Sequence, residues 1–100
     1  MTPQRVTLIT LGVKDLAASR AFYKALGWEE SSRSQETIAF FQLNGLVMGL
    51  FGLAALADDQ GRPDAALGTG AMTLAQNFVT EAEVDTAFAK ALKCGATQLK

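Results

Sequence analysis

The hexapeptide AFYKAL at residues 21–26 returns as AFAKAL at residues 87–92, and the echo continues upstream at the same offset. Thr7 and Leu8 align with Thr73 and Leu74, Val13 with Val79, and Asp15 with Glu81. A chain of 100 residues can build one domain with a small core, not two. The repeat therefore predicts a single domain assembled from two copies of one strand–helix module, an α+β arrangement.

In the first copy, RVTLITLGV at residues 5–13 alternates Val6, Leu8, Thr10 and Gly12 with Thr7, Ile9, Leu11 and Val13, which predicts a strand. Asp15 offers an N-cap oxygen, and Leu16, Ser19, Phe22, Tyr23 and Leu26 follow at helical spacing up to a terminating Gly27. SSRSQE at residues 31–36 reads as a polar loop or the start of a ragged strand. A hairpin signal comes next: TIAFFQL, then Asn44-Gly45, then LVMGLFG. Asn-Gly favours a two-residue type I′ turn, which would set Leu43 against Leu46, Phe41 against Met48, Phe40 against Gly49, and Ile38 against Phe51. Both faces of that hairpin are apolar, so one is expected to meet a helix and the other to line a cavity or a second sheet.

Residues 53–70 break the periodicity with Gly, Pro and Asp and read as a linker, with a short helical turn over residues 54–57. Asp58, Asp59 and Asp64 lack the ligand spacing of a calcium loop, and Gly68 and Gly70 are too few for a phosphate cradle. The second copy opens with a predicted strand over residues 71–79 and a capping box from Thr80 to Glu83. A stripe of Val84, Ala87, Phe88, Ala91 and Leu92 is expected to face the core, and Gly95 to close the helix. ATQLK would begin a further strand. The expected organisation is module one at residues 1–52, a linker at 53–70 and a partial module two at 71–100.

Composition narrows the chemistry. There is no histidine, which removes Ser-His-Asp and Cys-His catalysis and histidine-based metal sites. Nine basic and ten acidic residues leave a net charge of −1 with no basic run, arguing against nucleic acid or an anionic membrane as partner. No apolar stretch approaches the roughly 20 residues of a membrane helix, and MTPQR lacks the pattern of a signal peptide. A single cysteine, Cys94, cannot form an internal disulfide, and a cytoplasmic protein is expected.

The stretch TLITLGVKDLAASRAFYKALGW resembles the opening of the vicinal oxygen chelate superfamily, which includes glyoxalase I, bleomycin-resistance proteins and extradiol dioxygenases. The resemblance rests on a strand followed by Val13, Asp15, Leu16, Ser19, Phe22, Tyr23, Leu26 and Gly27. IAFFQLNGLVMGLF is similar to the superfamily's central hairpin, and LAQNFVTEAEVDTAFAKALKCGA to its second strand–helix. The resemblance implies paired βαβββ modules whose strands curve around a ligand cavity, here with the second module incomplete. It also implies where metal ligands would fall: on Leu8, on Thr73 or Leu74, near Gly49, and beyond Lys100. None of the three visible positions carries a coordinating side chain, so the expectation is no metal and no cofactor.

What remains is a cavity wall. Strand parity puts Ile38, Phe40, Gln42, Val47, Gly49 and Phe51 on one face; Leu8, Thr10, Thr73 and Asn77 complete the candidate ligand-binding set, with Thr10, Gln42 and Asn77 as its polar contacts. Such a wall suits a small apolar or aromatic ligand. The leading expectation is a metal-independent small-molecule-binding protein without catalytic residues. Two alternatives stand beside it: a glyoxalase-type lyase or dioxygenase whose ligands lie outside these residues, and a strand-exchanged dimeric interaction module. The repeat predicts on the order of 30 further residues to finish module two. Their absence would leave an unpaired sheet edge, from which a homodimer is expected.

Overall fold

The computed structural model describes residues 2–100. Its elements are β1 (Leu8–Val13), α1 (Leu16–Ala25), β2 (Ile38–Gln42), β3 (Val47–Gly52), α2 (Leu53–Asp59) and α3 (Glu81–Lys93). The three strands form one sheet in the order β1-β3-β2, with β1 parallel and β2 antiparallel to β3. A one-residue bridge from Glu30 to Phe41 marks the start of the ragged segment before β2. No helix among the described residues is long and apolar enough to cross a membrane.

Local chemistry explains where the helices begin and end. The Asp15 carboxylate accepts from the Ala18 N–H at 3.0 Å. At the other end of α1 the Gly27 N–H donates to the Lys24 carbonyl at 3.0 Å and the Trp28 N–H to the Tyr23 carbonyl at 3.1 Å. That pair of bonds is a Schellman closure, and it places Gly27 at φ +100°, where a side chain would be strained. The second helix of the repeat is built alike. The Thr80 hydroxyl oxygen accepts from the Glu83 N–H at 3.1 Å, and Gly95 and Ala96 donate to Leu92 and Ala91 at 3.1 and 2.9 Å.

The core lies between α1 and one face of the sheet. Ala39, Phe41, Met48 and Leu50 are fully or almost fully buried, with Leu11, Val13, Leu16, Tyr23, Trp28 and Leu43 packed against them. Tyr23 stacks on Trp28 with ring centroids 5.0 Å apart, and Phe41 lies 5.8 Å from Tyr23. Burial pushes the Tyr23 phenol above its ordinary pKa by disfavouring the phenolate.

The observed hairpin pairs Ile38 with Phe51, Phe40 with Gly49 and Phe41 with Met48, the register expected from the sequence, and the Leu43 N–H donates to the Leu46 carbonyl at 2.8 Å. The turn differs from expectation. Only Gly45 has a positive φ, at +87°, so Asn44 does not take the left-handed conformation that type I′ requires; the sign pattern is that of a type II turn.

Three further expectations are corrected. In the segment read as a linker, the helical turn expected at residues 54–57 is a seven-residue helix, α2, and its Ala57 is fully buried instead of facing solvent. Residues 71–79 form no strand and are exposed, and residues 96–100 form none either. A strand needs a neighbour to receive its ladder bonds, and neither segment pairs with a described strand. For the same reason the α3 stripe is not core: Val84, Phe88 and Leu92 are 48%, 49% and 37% exposed. Of their counterparts at the first helix, Phe22 and Leu26 are half-buried and Ala18 is exposed.

Candidate functional site

The sheet face opposite α1 is the candidate site, and the strand register defines it. Three cross-strand rows run across it: Gln42–Val47–Leu8, Phe40–Gly49–Thr10 and Ile38–Phe51–Gly12. Eight of the ten residues singled out from the sequence, Leu8, Thr10, Ile38, Phe40, Gln42, Val47, Gly49 and Phe51, thus share one face. Thr73 and Asn77 do not join them. Both lie in the exposed, unpaired segment before α3, and neither lines a described cavity.

Two glycines shape this face. A Cβ on Gly49 would sit 3.3 Å from Thr10 Oγ1 and 3.4 Å from the Phe40 ring, so the missing side chain leaves a floor flanked by a hydroxyl and an aromatic ring. A Cβ on Gly12 would sit 2.8 Å from a Leu53 methyl and 3.0 Å from a Leu56 methyl. Helix α2 therefore seats directly on Gly12 and closes that end of the face. The opposite end stays open as a cavity of about 350 Å³ bordered by Thr7, Leu8, Ser31, Arg33, Phe40, Gln42 and Val47.

Ser31 and Arg33 are additions that strand parity could not supply, because they come from the polar loop between α1 and β2. That loop is held by Arg20 on α1. Its guanidinium bonds the Glu30 carboxylate at 2.9 and 3.2 Å, the Glu36 carbonyl at 3.0 Å and the Gln35 carbonyl. The Glu30 carboxylate is partly desolvated, which alone would raise its pKa. Hydrogen bonds from Arg20 and Ser34 and the charges of Arg20 and Lys24 outweigh that and hold it below the usual glutamate value. Further bonds fix the loop to the sheet: the Ser31 N–H to the Phe40 carbonyl at 2.7 Å, and the Phe40 N–H to the Ser34 hydroxyl at 2.8 Å. The Gln42 side-chain amide N–H donates to the Leu43 and Leu46 carbonyls at 2.9 and 3.2 Å.

Two other grooves lie off this face. The larger, about 830 Å³, runs past Ile9, Trp28, Met48, the hairpin tip and Leu74, with Glu29 and Glu30 at its rim. The other, about 430 Å³, follows the outer edge of β1.

A transition-metal centre does not fit the residues present. Leu8 and Gly49, two of the positions where the resemblance would put ligands, occupy neighbouring rows of the open face and offer no donor atom. Among the described residues no group of three or more His, Cys, Asp or Glu could hold an ion.

Comparisons with known proteins converge on one fold. Residues 5–44 match the family described as bleomycin resistance protein-like N-terminal. The crystal structure of a glyoxalase-related enzyme from Fulvimarina pelagi is 35% identical with a TM-score of 0.79, covering 93% of this chain and 66% of that one. A glyoxalase/bleomycin resistance protein/dioxygenase from Nocardioides is 28% identical with a TM-score of 0.72, covering 95% of this chain and 64% of that one. A glyoxalase/bleomycin resistance protein/dioxygenase family enzyme from Burkholderia phytofirmans, at 20% identity and a TM-score of 0.80, shares the fold, covering 94% and 76%. The chain thus spans about two thirds of the length of these proteins. No curated protein matches the sequence significantly.

Proposed function

The chain belongs to the glyoxalase/bleomycin resistance/dioxygenase group, the vicinal oxygen chelate superfamily, and from that premise we propose that it is a metal-independent small-molecule-binding protein with its ligand on the open sheet face. The observation that carries this reading is the Phe40–Gly49–Thr10 row. An aromatic ring and a hydroxyl flank a position with no side chain, which suits a flat apolar body with one polar contact. Leu8 and Gly49 support the metal-independent part, since neither can donate to an ion. Protein-observed NMR with 2-naphthalenemethanol tests the reading. Saturable shifts at the Phe40, Val47 and Gly49 amides, unchanged by EDTA, are expected. Shifts confined to another surface, or binding that appears only after a divalent metal is added, would overturn it.

A second reading, assembly as a homodimer, is favoured by α3. Its Val84, Phe88 and Leu92 are exposed and no described strand or helix packs over them, and Met72, Leu74 and Val79 in the preceding segment are exposed as well. A second copy of the chain is proposed to cover this strip. Sedimentation across micromolar concentrations tests it, and a strict monomer would count against it.

A further inference from the structure

We infer that the open sheet face takes an aromatic monocarboxylate, its ring on Phe40 and Val47 and its carboxylate on the guanidinium of Arg33. The inference rests on the ligand-binding reading above and adds the charge of the ligand. Of the residues bordering the cavity, Arg33 is the one with a charge, and no Asp or Glu accompanies it. The larger groove is the reverse, with Glu29 at its rim beside Glu30, whose charge Arg20 already neutralises, and no Lys or Arg in its lining. An anion is therefore favoured at the sheet face and disfavoured at the groove, although the two share Ser31 and Gln42.

The two arginines near this loop divide their work. The Arg20 guanidinium is committed to Glu30 and to the carbonyls of Gln35 and Glu36. Among the described residues, no hydrogen bond or ion pair engages the Arg33 guanidinium; only its backbone N–H is used, donating to the Ser31 hydroxyl oxygen at 3.1 Å. The loop that carries Arg33 is tied to α1 and β2 by the bonds already described, so the guanidinium hangs from an ordered backbone. A planar guanidinium presents parallel N–H donors that match a carboxylate two to one, and an apolar wall beside it reduces competition from water. The cavity of about 350 Å³ accommodates a one- or two-ring acid.

The test compares three probes of one shape, 2-naphthoate, 2-naphthalenemethanol and 2-naphthylmethylammonium, on the full chain by amide NMR titration. In the wild type, naphthoate should bind about tenfold tighter than the alcohol, with the ammonium weakest, and the preference should shrink as salt is raised. Arg33→Gln should bring naphthoate within about twofold of the alcohol, while Arg33→Lys keeps part of the preference because the charge stays and the fork is lost. Arg33 is exposed and supports no packing, so both variants should keep the wild-type amide spectrum. Equal affinity for naphthoate and alcohol at Phe40, Val47 and Gly49 would overturn the charge assignment and leave the binding site standing. No shifts at those amides with any probe would overturn both. A naphthoate preference that survives Arg33→Gln would also overturn the assignment to Arg33.

Discussion

Gly12 and Gly49 are one row apart on the same sheet face, and neither has a positive φ, so replacing each with alanine separates two kinds of space. Alanine restricts the unfolded chain at either site, a gain of about 0.4–1 kcal/mol where the native backbone tolerates it. At Gly49 the new methyl meets Thr10 Oγ1 at 3.3 Å and the Phe40 ring at 3.4 and 3.5 Å, contacts that a small shift of either side chain relieves. Gly49→Ala should therefore change stability by less than about 1 kcal/mol. At Gly12 the methyl meets the Leu53 Cδ2 at 2.8 Å and the Leu56 Cδ2 at 3.0 Å, closer than van der Waals contact allows, so both half-buried leucine ends must move aside together. Displacing two side-chain ends sits at the low end of overpacking costs, about 1 kcal/mol, so Gly12→Ala should be the less stable of the two variants, its melting temperature lower by roughly 4–8 °C for a domain of this size. Binding should split the other way: only Gly49→Ala fills the floor, so only it should weaken an aromatic probe. Circular dichroism melts and urea titrations of both variants measure the first difference. Gly12→Ala melting with the wild type, or Gly49→Ala melting below Gly12→Ala, would refute the assignment of the two spaces.

Two further outcomes follow from named contacts. The folded Glu30 carboxylate has a pKa below its ordinary value, so the Arg20–Glu30 pair stabilises the fold above about pH 4.5 and loses that contribution as pH falls through the folded pKa. Glu30→Gln should cost on the order of 1 kcal/mol at pH 7 and flatten the dependence of urea midpoint on pH below 4.5; an unchanged acid slope would show that the pair is not the source. Phe88→Asp puts a charge in the exposed strip of α3 and should abolish dimers in sedimentation without lowering the melting temperature of the α1 core, whereas an intact dimer would place the contact elsewhere.

Much of module one could be read directly. The Asp15 cap, the closures at Gly27 and Gly95, and the hairpin pairing depend on residues a few positions apart, and period-two alternation carries Phe40, Gly49 and Thr10 to one face once the register is known. The candidate wall was legible for that reason, except for Thr73 and Asn77, which were assigned through a strand that does not form. Arg33 was not legible: its sequence neighbours mark only a polar loop, and it reaches the cavity because Arg20, ten or more residues from its partners, pins that loop to α1.

The helix ends and the alternation of the hairpin are local properties, set by backbone preferences and side-chain spacing within one turn or one strand pair. Whether an apolar stripe becomes core or surface depends on what the rest of the chain brings against it. AFYKAL and AFAKAL differ only at Tyr23 and Ala89, yet the first belongs to a helix that packs on the sheet and the second leaves Phe88 and Leu92 exposed. The difference lies in what stands opposite, since apolar burial requires two surfaces and a helix encodes only its own.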